Sequence, residues 1–309
     1  MVPAVGDGRE ENTSGWLDTG AAVLYVAAVM HVLREHELHP YSPHHFGVDK
    51  ATFLTHKMGE HKRHFCKSMP VEAQMAPSAH GTIALVGAGE YLPTMLSVDK
   101  LLVERVSGTP RVIVLPTASV PDGAGVPERW ARMGVAHFSQ LGVAVEPVML
   151  CNRSDADDPQ MAAQLATANF VYFSGGKPRY LLETLQATAC WQAILNVFAA
   201  GGVVAGCSAG AMVLGAALLD FPRTWRTLPA LGLAPGIAII PHFDEIPSLL
   251  TPVIAAARRT ITVVGIDGST ALVGSNGQWS VQGKGGVTVF TSKQKTRYLA
   301  GDEVPVLAT

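Results

Sequence analysis

The pentapeptide Gly206-Cys207-Ser208-Ala209-Gly210 surrounds a serine hydroxyl with small residues, a pattern that can support nucleophilic catalysis. It follows a short apolar run, Val203–Ala205, and it precedes a run of helical character, Ala211–Leu218. A nucleophile on a sharp strand-to-helix turn needs small neighbours, because other backbone must approach it closely. The helix would also aim its N-terminal amides at the site, where they stabilise developing negative charge. The segment predicts a nucleophile elbow with Ser208 as the nucleophile, and a plain tight turn is the alternative.

Cys207 is the competing nucleophile in this segment. A cysteine elbow would place the thiol at position 208, so Cys207 stands one position too early and its side chain should point away from the anion site. We expect Cys207 to be a buried packing residue.

Two further glycine loops end predicted strands. Gly175 and Gly176 follow the apolar run Phe170–Phe173, and their amides could donate to an oxyanion beside the elbow, although an ordinary β–α turn has the same composition. The loop Gly87-Ala88-Gly89-Glu90 begins like a dinucleotide-binding loop. It lacks the third glycine of G-x-G-x-x-G, since position 92 is Leu, so we expect no nucleotide cofactor.

The general base of such a site should be a histidine. His242 follows a predicted strand, Gly236–Pro241, and therefore emerges at the carboxyl end of that strand, where open α/β sheets place their sites. His137 lies inside a predicted helix and is interpreted as a surface or packing residue. We expect His242 to take the Ser208 proton and to return it to the leaving group.

An acidic residue should hold the imidazole in the correct tautomer. The candidates are Asp244, Glu245 and Asp267. Asp267 ends an apolar strand, Val263–Ile266, which makes its position plausible, whereas Asp244 is close to His242 in sequence. The sequence leaves this choice open, and Asp267 is the tentative third member.

The elements that would position these residues form a regular α/β pattern from residue 81 onward. Continuous apolar strands alternate with helical stretches, which predicts a doubly wound, mostly parallel sheet covered on both faces. After Val263 the pattern changes to short strands separated by glycine-rich turns, which predicts a small antiparallel edge. The predicted strands are Thr82–Val86, Val112–Leu115, Ala144–Leu150, Phe170–Phe173, Val203–Ala205, Ile237–Ile240, Ala271–Val273, Trp279–Val281 and Val287–Phe290. The predicted helices are Val126–Leu141, Pro159–Ala168, Pro178–Ala200 and Ala209–Leu218.

Composition excludes several classes of protein. The 309 residues include 23 Lys and Arg against 25 Asp and Glu, so no basic excess favours nucleic acid as a partner. Residues Gly201 to Leu219 contain no charge, but five glycines divide them into a strand, a turn and a helix, so we expect no membrane span. Four unpatterned cysteines and the absence of a basic leader indicate a cytoplasmic protein.

Residues 1–80 differ in composition from the rest and are predicted to be a separate His-rich extension, helical or partly disordered. They contain nine of the eleven histidines, but no H-E-x-x-H motif. His61 and His64 could share one helical face as metal ligands, yet a solvated appendage is the favoured interpretation, and we expect no metal.

Four segments in this order, FSGGKPRYLL, AGCSAGAM, PHFD and VVGIDGSTAL, resemble the S51 serine peptidases, the family of peptidase E and cyanophycinase. The resemblance covers residues 81 to about 290. It implies a flavodoxin-like fold similar to that of class I glutamine amidotransferases, and hydrolysis of short or unusual peptide bonds involving aspartate. It also implies Ser208 as nucleophile, His242 as base, and an oxyanion hole formed by the Ala209 amide with a glycine amide of Gly175 or Gly176.

Two positions depart from the family pattern. Gly268 stands where relatives usually have an acidic residue, and Lys177 follows the two glycines where relatives often have Asn or Asp. The sequence therefore predicts a serine-type peptidase acting on a small peptide or amide, without a specific substrate. A catalytically weak or inactive small-molecule binding or regulatory protein is the alternative, because of Gly268.

Substrate recognition and assembly are less defined by the sequence. Four arginines could bind a substrate carboxylate, although surface salt bridging is the more common role. They are Arg223, Arg226, Arg258 and Arg259. A homodimer is a candidate assembly.

Overall fold

The computed structural model describes residues 81–220, 226–246, 254 and 257–307. The predicted His-rich extension of residues 1–80 and the candidate Arg223 lie outside the described residues.

Thirteen strands and seven α-helices make up the described chain. The strands are β1 (Thr82–Val86), β2 (Arg111–Leu115), β3 (Ala144–Pro147), β4 (Phe170–Phe173), β5 (Val203–Cys207), β6 (Ala217–Asp220), β7 (Arg226–Pro229), β8 (Ile237–Ile240), β9 (Thr262–Ile266), β10 (Thr270–Ser275), β11 (Gln278–Gly283), β12 (Gly286–Phe290) and β13 (Lys295–Leu299). The helices are α1 (Leu96–Glu104), α2 (Val126–Gln140), α3 (Arg153–Asp157), α4 (Pro159–Leu165), α5 (Pro178–Leu185), α6 (Ala189–Ala199) and α7 (Ala209–Leu214). Short 3₁₀ helices cover Pro93–Met95, Thr117–Asp122, Phe243–Glu245 and Pro305–Leu307.

The main sheet has seven strands in the order β11-β10-β1-β5-β4-β2-β3. The five strands from β1 to β3 in this order are parallel. Strands β10 and β11 complete the sheet as an antiparallel edge beside β1. The predicted α/β architecture, a mostly parallel sheet with antiparallel strands from the C-terminal part of the chain, is confirmed.

Both faces of this sheet are buried, as the continuous apolar strands require. Along β1, Ile83 and Leu85 face one apolar cluster, whereas Ala84 and Val86 face another. Successive side chains of a strand point to opposite faces, so each face packs its own layer of helices. The first cluster includes residues of α4 to α7, and the second includes residues of α1 and α2.

A second sheet, in the order β13-β12-β9-β8, contains the strand that carries the candidate base. Strands β8 and β9 are parallel to each other, and β12 joins β9 antiparallel. The sequence predicted Ile237–Ile240 as another strand of the main parallel sheet, whereas the structure pairs it with β9 in this second sheet. The pattern of apolar residues cannot show which sheet a strand joins, because a strand buried in either sheet is equally apolar.

In the described part of the chain, no helix is long and apolar enough to cross a membrane. The uncharged segment from Gly201 to Leu219 forms β5, the turn at Ser208 and α7, as its glycines predicted. The predicted helix Ala209–Leu218 is too long, because α7 ends at Leu214 and β6 begins at Ala217.

Candidate active site

Ser208 lies on a strained turn between β5 and α7. Its φ of 50° and ψ of −111° are rarely adopted by a residue with a side chain. The neighbouring glycines are required sterically: a Cβ on Gly206 would lie 2.5 Å from the carbonyl carbon of Gly210, and one on Gly210 would lie 2.7 Å from the carbonyl oxygen of Phe173. These contacts form the strand–turn–helix geometry predicted for the elbow.

His242 reaches this turn from the second sheet. It follows β8, adopts a left-handed conformation with φ of 51°, and begins the 3₁₀ helix Phe243–Glu245. Its Nε2 lies 3.1 Å from the Oγ of Ser208. The two residues are 34 positions apart in the sequence, and their contact joins the two sheets at a half-buried position. The structure thus brings together the predicted nucleophile and the predicted base.

Glu245 is the carboxylate beside the other ring nitrogen of His242. Its Oε2 lies 3.6 Å from Nδ1, and the side chains of His242 and Glu245 are 36% and 56% exposed. With Nε2 accepting from the Ser208 hydroxyl, the proton of the neutral ring belongs on Nδ1, where it faces this carboxylate. The distance and the exposure make this a weak ion contact compared with the buried acid of a typical triad.

Asp267, the tentative third member, has different partners. Its side chain is buried, and its Oδ2 accepts from Arg297 Nη2 at 2.5 Å and from the Gly286 amide at 2.9 Å. Arg297 Nη1 lies 3.4 Å from the other oxygen, Oδ1. The carboxylate therefore joins the end of β9 to β12 and β13. The sequence could not predict this contact, because Arg297 follows 30 positions later.

Asp244 lies in front of Gly268, the position where the family resemblance implies an acidic residue. Its Oδ1 accepts from the Gly268 amide at 2.8 Å. A Cβ on Gly268 would be 3.5 and 3.7 Å from the two carboxylate oxygens of Asp244 and 4.0 Å from the Cβ of Ala88. Position 268 therefore has room for a side chain, and a carboxylate from a neighbouring element already occupies the space beside it.

The two glycines of the predicted oxyanion loop have different roles. The Gly175 amide donates to Oε1 of Glu90 at 2.7 Å and is thereby occupied. The amides of Gly176 and Ala209 donate to no acceptor in the part of the chain that the structure describes. Of the predicted donors, Gly176 and Ala209 therefore have an amide that no described residue uses.

Cys207 is fully buried beneath the elbow, as predicted for a packing residue. Its Sγ lies 2.9 Å from Oε2 of Glu90. Burial and, to a lesser extent, the charge of Glu90 raise the pKa of the Cys207 thiol well above its usual value. The thiol therefore keeps its proton and donates it to the carboxylate, so it is a poor nucleophile.

Sequence reasoning missed Glu90 as part of this site. The residue ends the glycine loop after β1, whose sequence suggests only an incomplete nucleotide-binding pattern. The adjacency of β1 to β5 brings the loop next to the elbow. An acidic residue directly after a glycine loop at the carboxyl end of the first strand was the available signal.

His137 is buried and paired, which decides between the surface and packing interpretations. Its Nε2 lies 2.8 Å from Oδ2 of Asp99, and both side chains are almost fully buried between α1 and α2. Burial raises the pKa of Asp99 in spite of this hydrogen bond. The pair belongs to the helical layer, and no contact joins it to His242.

The remaining arginine candidates in the described residues lie near the starts of two strands. Arg258 and Arg259 lie in the turn before β9, and Arg226 begins β7. Within residues 81–220, 226–246, 254 and 257–307, no three His, Cys, Asp or Glu side chains are grouped as a metal site would require.

The known proteins that this chain resembles include a cyanophycinase and two peptidases. A cyanophycinase of Synechococcus elongatus is 28% identical over 225 residues, which cover 68% of this chain and 67% of the relative. An uncharacterized peptidase of Listeria innocua is 28% identical over 144 residues, or 44% of this chain and 66% of that protein. The crystal structure of a peptidase from an acI-B1 actinobacterium matches with a TM-score of 0.69 and 31% identity, covering 74% of this chain and 98% of the other.

The model of peptidase family S51 matches residues 83–281. This range includes the elbow, the loop of Gly175 and Gly176, and His242 after β8. The chain belongs to peptidase family S51 and is thereby placed among the peptide-bond hydrolases.

Proposed function

We propose that this protein is a serine-type peptidase that hydrolyses small or unusual peptide or amide bonds. The observation that carries the proposal is the 3.1 Å contact between Ser208 Oγ and His242 Nε2, made at a strained elbow. A serine hydroxyl is a weak nucleophile by itself and needs an adjacent base within hydrogen-bond reach. The pair meets this requirement.

The proposed reaction begins at Ser208 and His242. His242 Nε2 removes the hydroxyl proton while Ser208 Oγ attacks the carbonyl carbon, and the carbonyl oxygen becomes an oxyanion. The free amides of Gly176 and Ala209 are the proposed donors to that oxygen. His242 then gives its proton to the leaving amine, which departs and leaves an acyl ester on Ser208. Water, activated by His242 in the same way, hydrolyses the ester.

Glu245 is the proposed orienting acid of this site. Its carboxylate faces Nδ1 of His242, whereas Asp267 is bonded to Arg297. Glu245 would favour the tautomer with the proton on Nδ1 and would stabilise the imidazolium that forms in the transition state. Asp267 is accordingly proposed to stabilise the second sheet and to act on catalysis only indirectly.

The test is hydrolysis of a panel of dipeptides and small amides, including aspartyl peptides, followed by amine release. Ser208→Ala and His242→Ala should each abolish turnover, while Ser139→Ala, an exposed serine on α2, should leave it unchanged. Wild-type activity that survives in Ser208→Ala would refute the assignment of the nucleophile.

A binding or regulatory protein that retains the pocket is the second candidate. It is favoured by Gly268, which lacks the acid usual at that position, and by the exposure of Glu245. It predicts that wild type and Ser208→Ala bind a small peptide equally, as measured by calorimetry, with no turnover by either. Measurable hydrolysis that depends on Ser208 would eliminate this candidate.

Location and assembly complete the proposal. We propose a cytoplasmic enzyme, because the three described cysteines, Cys151, Cys190 and Cys207, are free thiols. Cell fractionation tests this placement. A homodimer is the proposed assembly to be checked by light scattering, and a small peptide or amide is the proposed partner.

A further inference from the structure

Glu90 is a buried carboxylate with both oxygens in use. Only 8% of the residue is exposed. Oε1 accepts from the Gly175 amide at 2.7 Å, and Oε2 accepts from the Cys207 thiol at 2.9 Å. Buried carboxylates require such partners, because an unpaired one is strongly unfavourable.

These two donors come from the two segments that meet at the catalytic centre, the end of β5 and the loop after β4. Cys207 is the residue directly before the nucleophile, and Gly175 belongs to the loop after β4. A Cβ on Gly175 would lie 2.7 Å from Oε1 of Glu90 and 3.3 Å from the Cβ of Ser208. One carboxylate thus joins the elbow to the glycine loop.

The other end of the glycine loop is held separately. The Lys177 amide donates to the Ala118 carbonyl oxygen at 2.7 Å. Gly176, with a φ of 138°, lies between this bond and the bond from Gly175 to Glu90. With both neighbours held, the peptide plane that carries the Gly176 N–H has a defined orientation.

The hydrogen bond to Glu90 also decides which amide can face a ligand. Each backbone residue has a single N–H donor, and that of Gly175 is already used. Without Glu90, Gly175 would carry an unpaired buried N–H, and the loop could rotate to present it to substrate or water instead of the Gly176 N–H.

We propose that Glu90 is a positioning residue of the active site: its carboxylate holds the Gly175 amide and the Cys207 thiol together, so that the Gly176 and Ala209 amides form the oxyanion hole beside Ser208. This inference rests on the proposed serine-peptidase function. Glu90 touches no reacting atom and acts only through the two loops.

The test is the rate at which a fluorophosphonate phosphonylates Ser208, since this reaction needs no known substrate and also places negative charge on an oxygen. Glu90→Ala removes both hydrogen bonds and should lower the maximal labelling rate by about 100-fold, the scale of a misplaced or lost oxyanion donor, with an unchanged inhibition constant for the initial complex. Glu90→Gln keeps an acceptor for Gly175 and should lose at most about tenfold. Cys207→Ala removes the thiol contact but leaves the bond to Gly175, so it should lose less than Glu90→Ala. Glu104→Ala, which removes an exposed carboxylate on α1, is the control and should label at the wild-type rate.

Three results would overturn the inference. A folded Glu90→Ala that reacts at the wild-type rate would show that the Gly176 and Ala209 amides keep their positions without Glu90. Equal losses in Glu90→Ala and Cys207→Ala would assign the effect to the thiol contact, and equal losses in Glu90→Ala and Glu90→Gln would assign it to charge. A wild-type protein that does not label would instead refute the proposed hydrolase function, and this inference with it.

If Glu90→Ala does not fold, NMR of the ¹⁵N-glycine-labelled wild-type protein tests the inference instead. On phosphonylation of Ser208, the amide resonance of Gly176 should shift strongly and that of Gly175 should stay in place, because the latter remains bonded to Glu90. A large shift of Gly175 with a stationary Gly176 would refute the inference.

Discussion

Glu245→Gln tests how much the orienting acid contributes, and the structure gives the magnitude. The carboxylate lies 3.6 Å from His242 Nδ1 and is 56% exposed. Exposed ion pairs contribute about 0.2–1 kcal/mol, and the imidazolium that the carboxylate stabilises forms only in the transition state. This corresponds to a loss of roughly 1.4-fold to fivefold in kcat/KM. A buried orienting acid would instead cost about 10⁴-fold when replaced by its amide.

The assay is hydrolysis of the best substrate from the dipeptide panel, with kcat and KM measured separately at low and high salt. The loss should fall on kcat and should shrink at high salt, since exposed charges are screened. Glu104→Gln, which removes an exposed carboxylate paired with Lys100 on α1, is the matched control and should have no effect. A loss of about 10³-fold or more in Glu245→Gln would refute the reasoning, because it would require a buried, tightly bonded carboxylate.

Three further outcomes follow from the described contacts. Asp267→Asn should lower the free energy of unfolding by about 1–3 kcal/mol in urea, because it weakens the bond to Arg297, while turnover per folded molecule stays near wild type; a large loss of turnover at unchanged stability would contradict this. Cys207 should resist iodoacetamide at about pH 8 in the native protein and react in urea, as read by peptide mass mapping, because burial raises its pKa; equal rates in both states would contradict this. Burial also raises the pKa of the Asp99 carboxyl above 3.8, so the folded chain binds the carboxyl proton more tightly than the unfolded chain. The free energy of unfolding of wild type relative to Asp99→Asn should therefore fall as pH rises from about 4. A difference that is independent of pH would contradict this.

Local patterns predicted most of the sheet and the elbow. The apolar run before Ser208 and the small residues around it form β5 and α7, because a strand buried on both faces and a tight turn leave clear signatures in composition. The predicted helix Pro178–Ala200 is two helices, α5 and α6, since Ala187 adopts a φ of 56° between them. A left-handed alanine has no signal in the sequence, and tertiary packing must impose it.

The part of the site that lies at the ends of strands could be predicted from the sequence. Ser208 and His242 each follow an apolar strand, and they do meet. The sequence left the acid open among Asp244, Glu245 and Asp267, because the choice depends on which sheet each strand joins. Asp267 follows β9 as expected, but its carboxylate is bonded to Arg297 of β13, from a later part of the chain. Such pairings between distant segments have no local signature.

The most direct test of the account is intact mass spectrometry of the protein after incubation with a fluorophosphonate, followed by peptide mapping. The account predicts a single adduct on Ser208, absent from Ser208→Ala and much slower to form in His242→Ala. An adduct on another residue, or an unmodified folded wild-type protein, would contradict it.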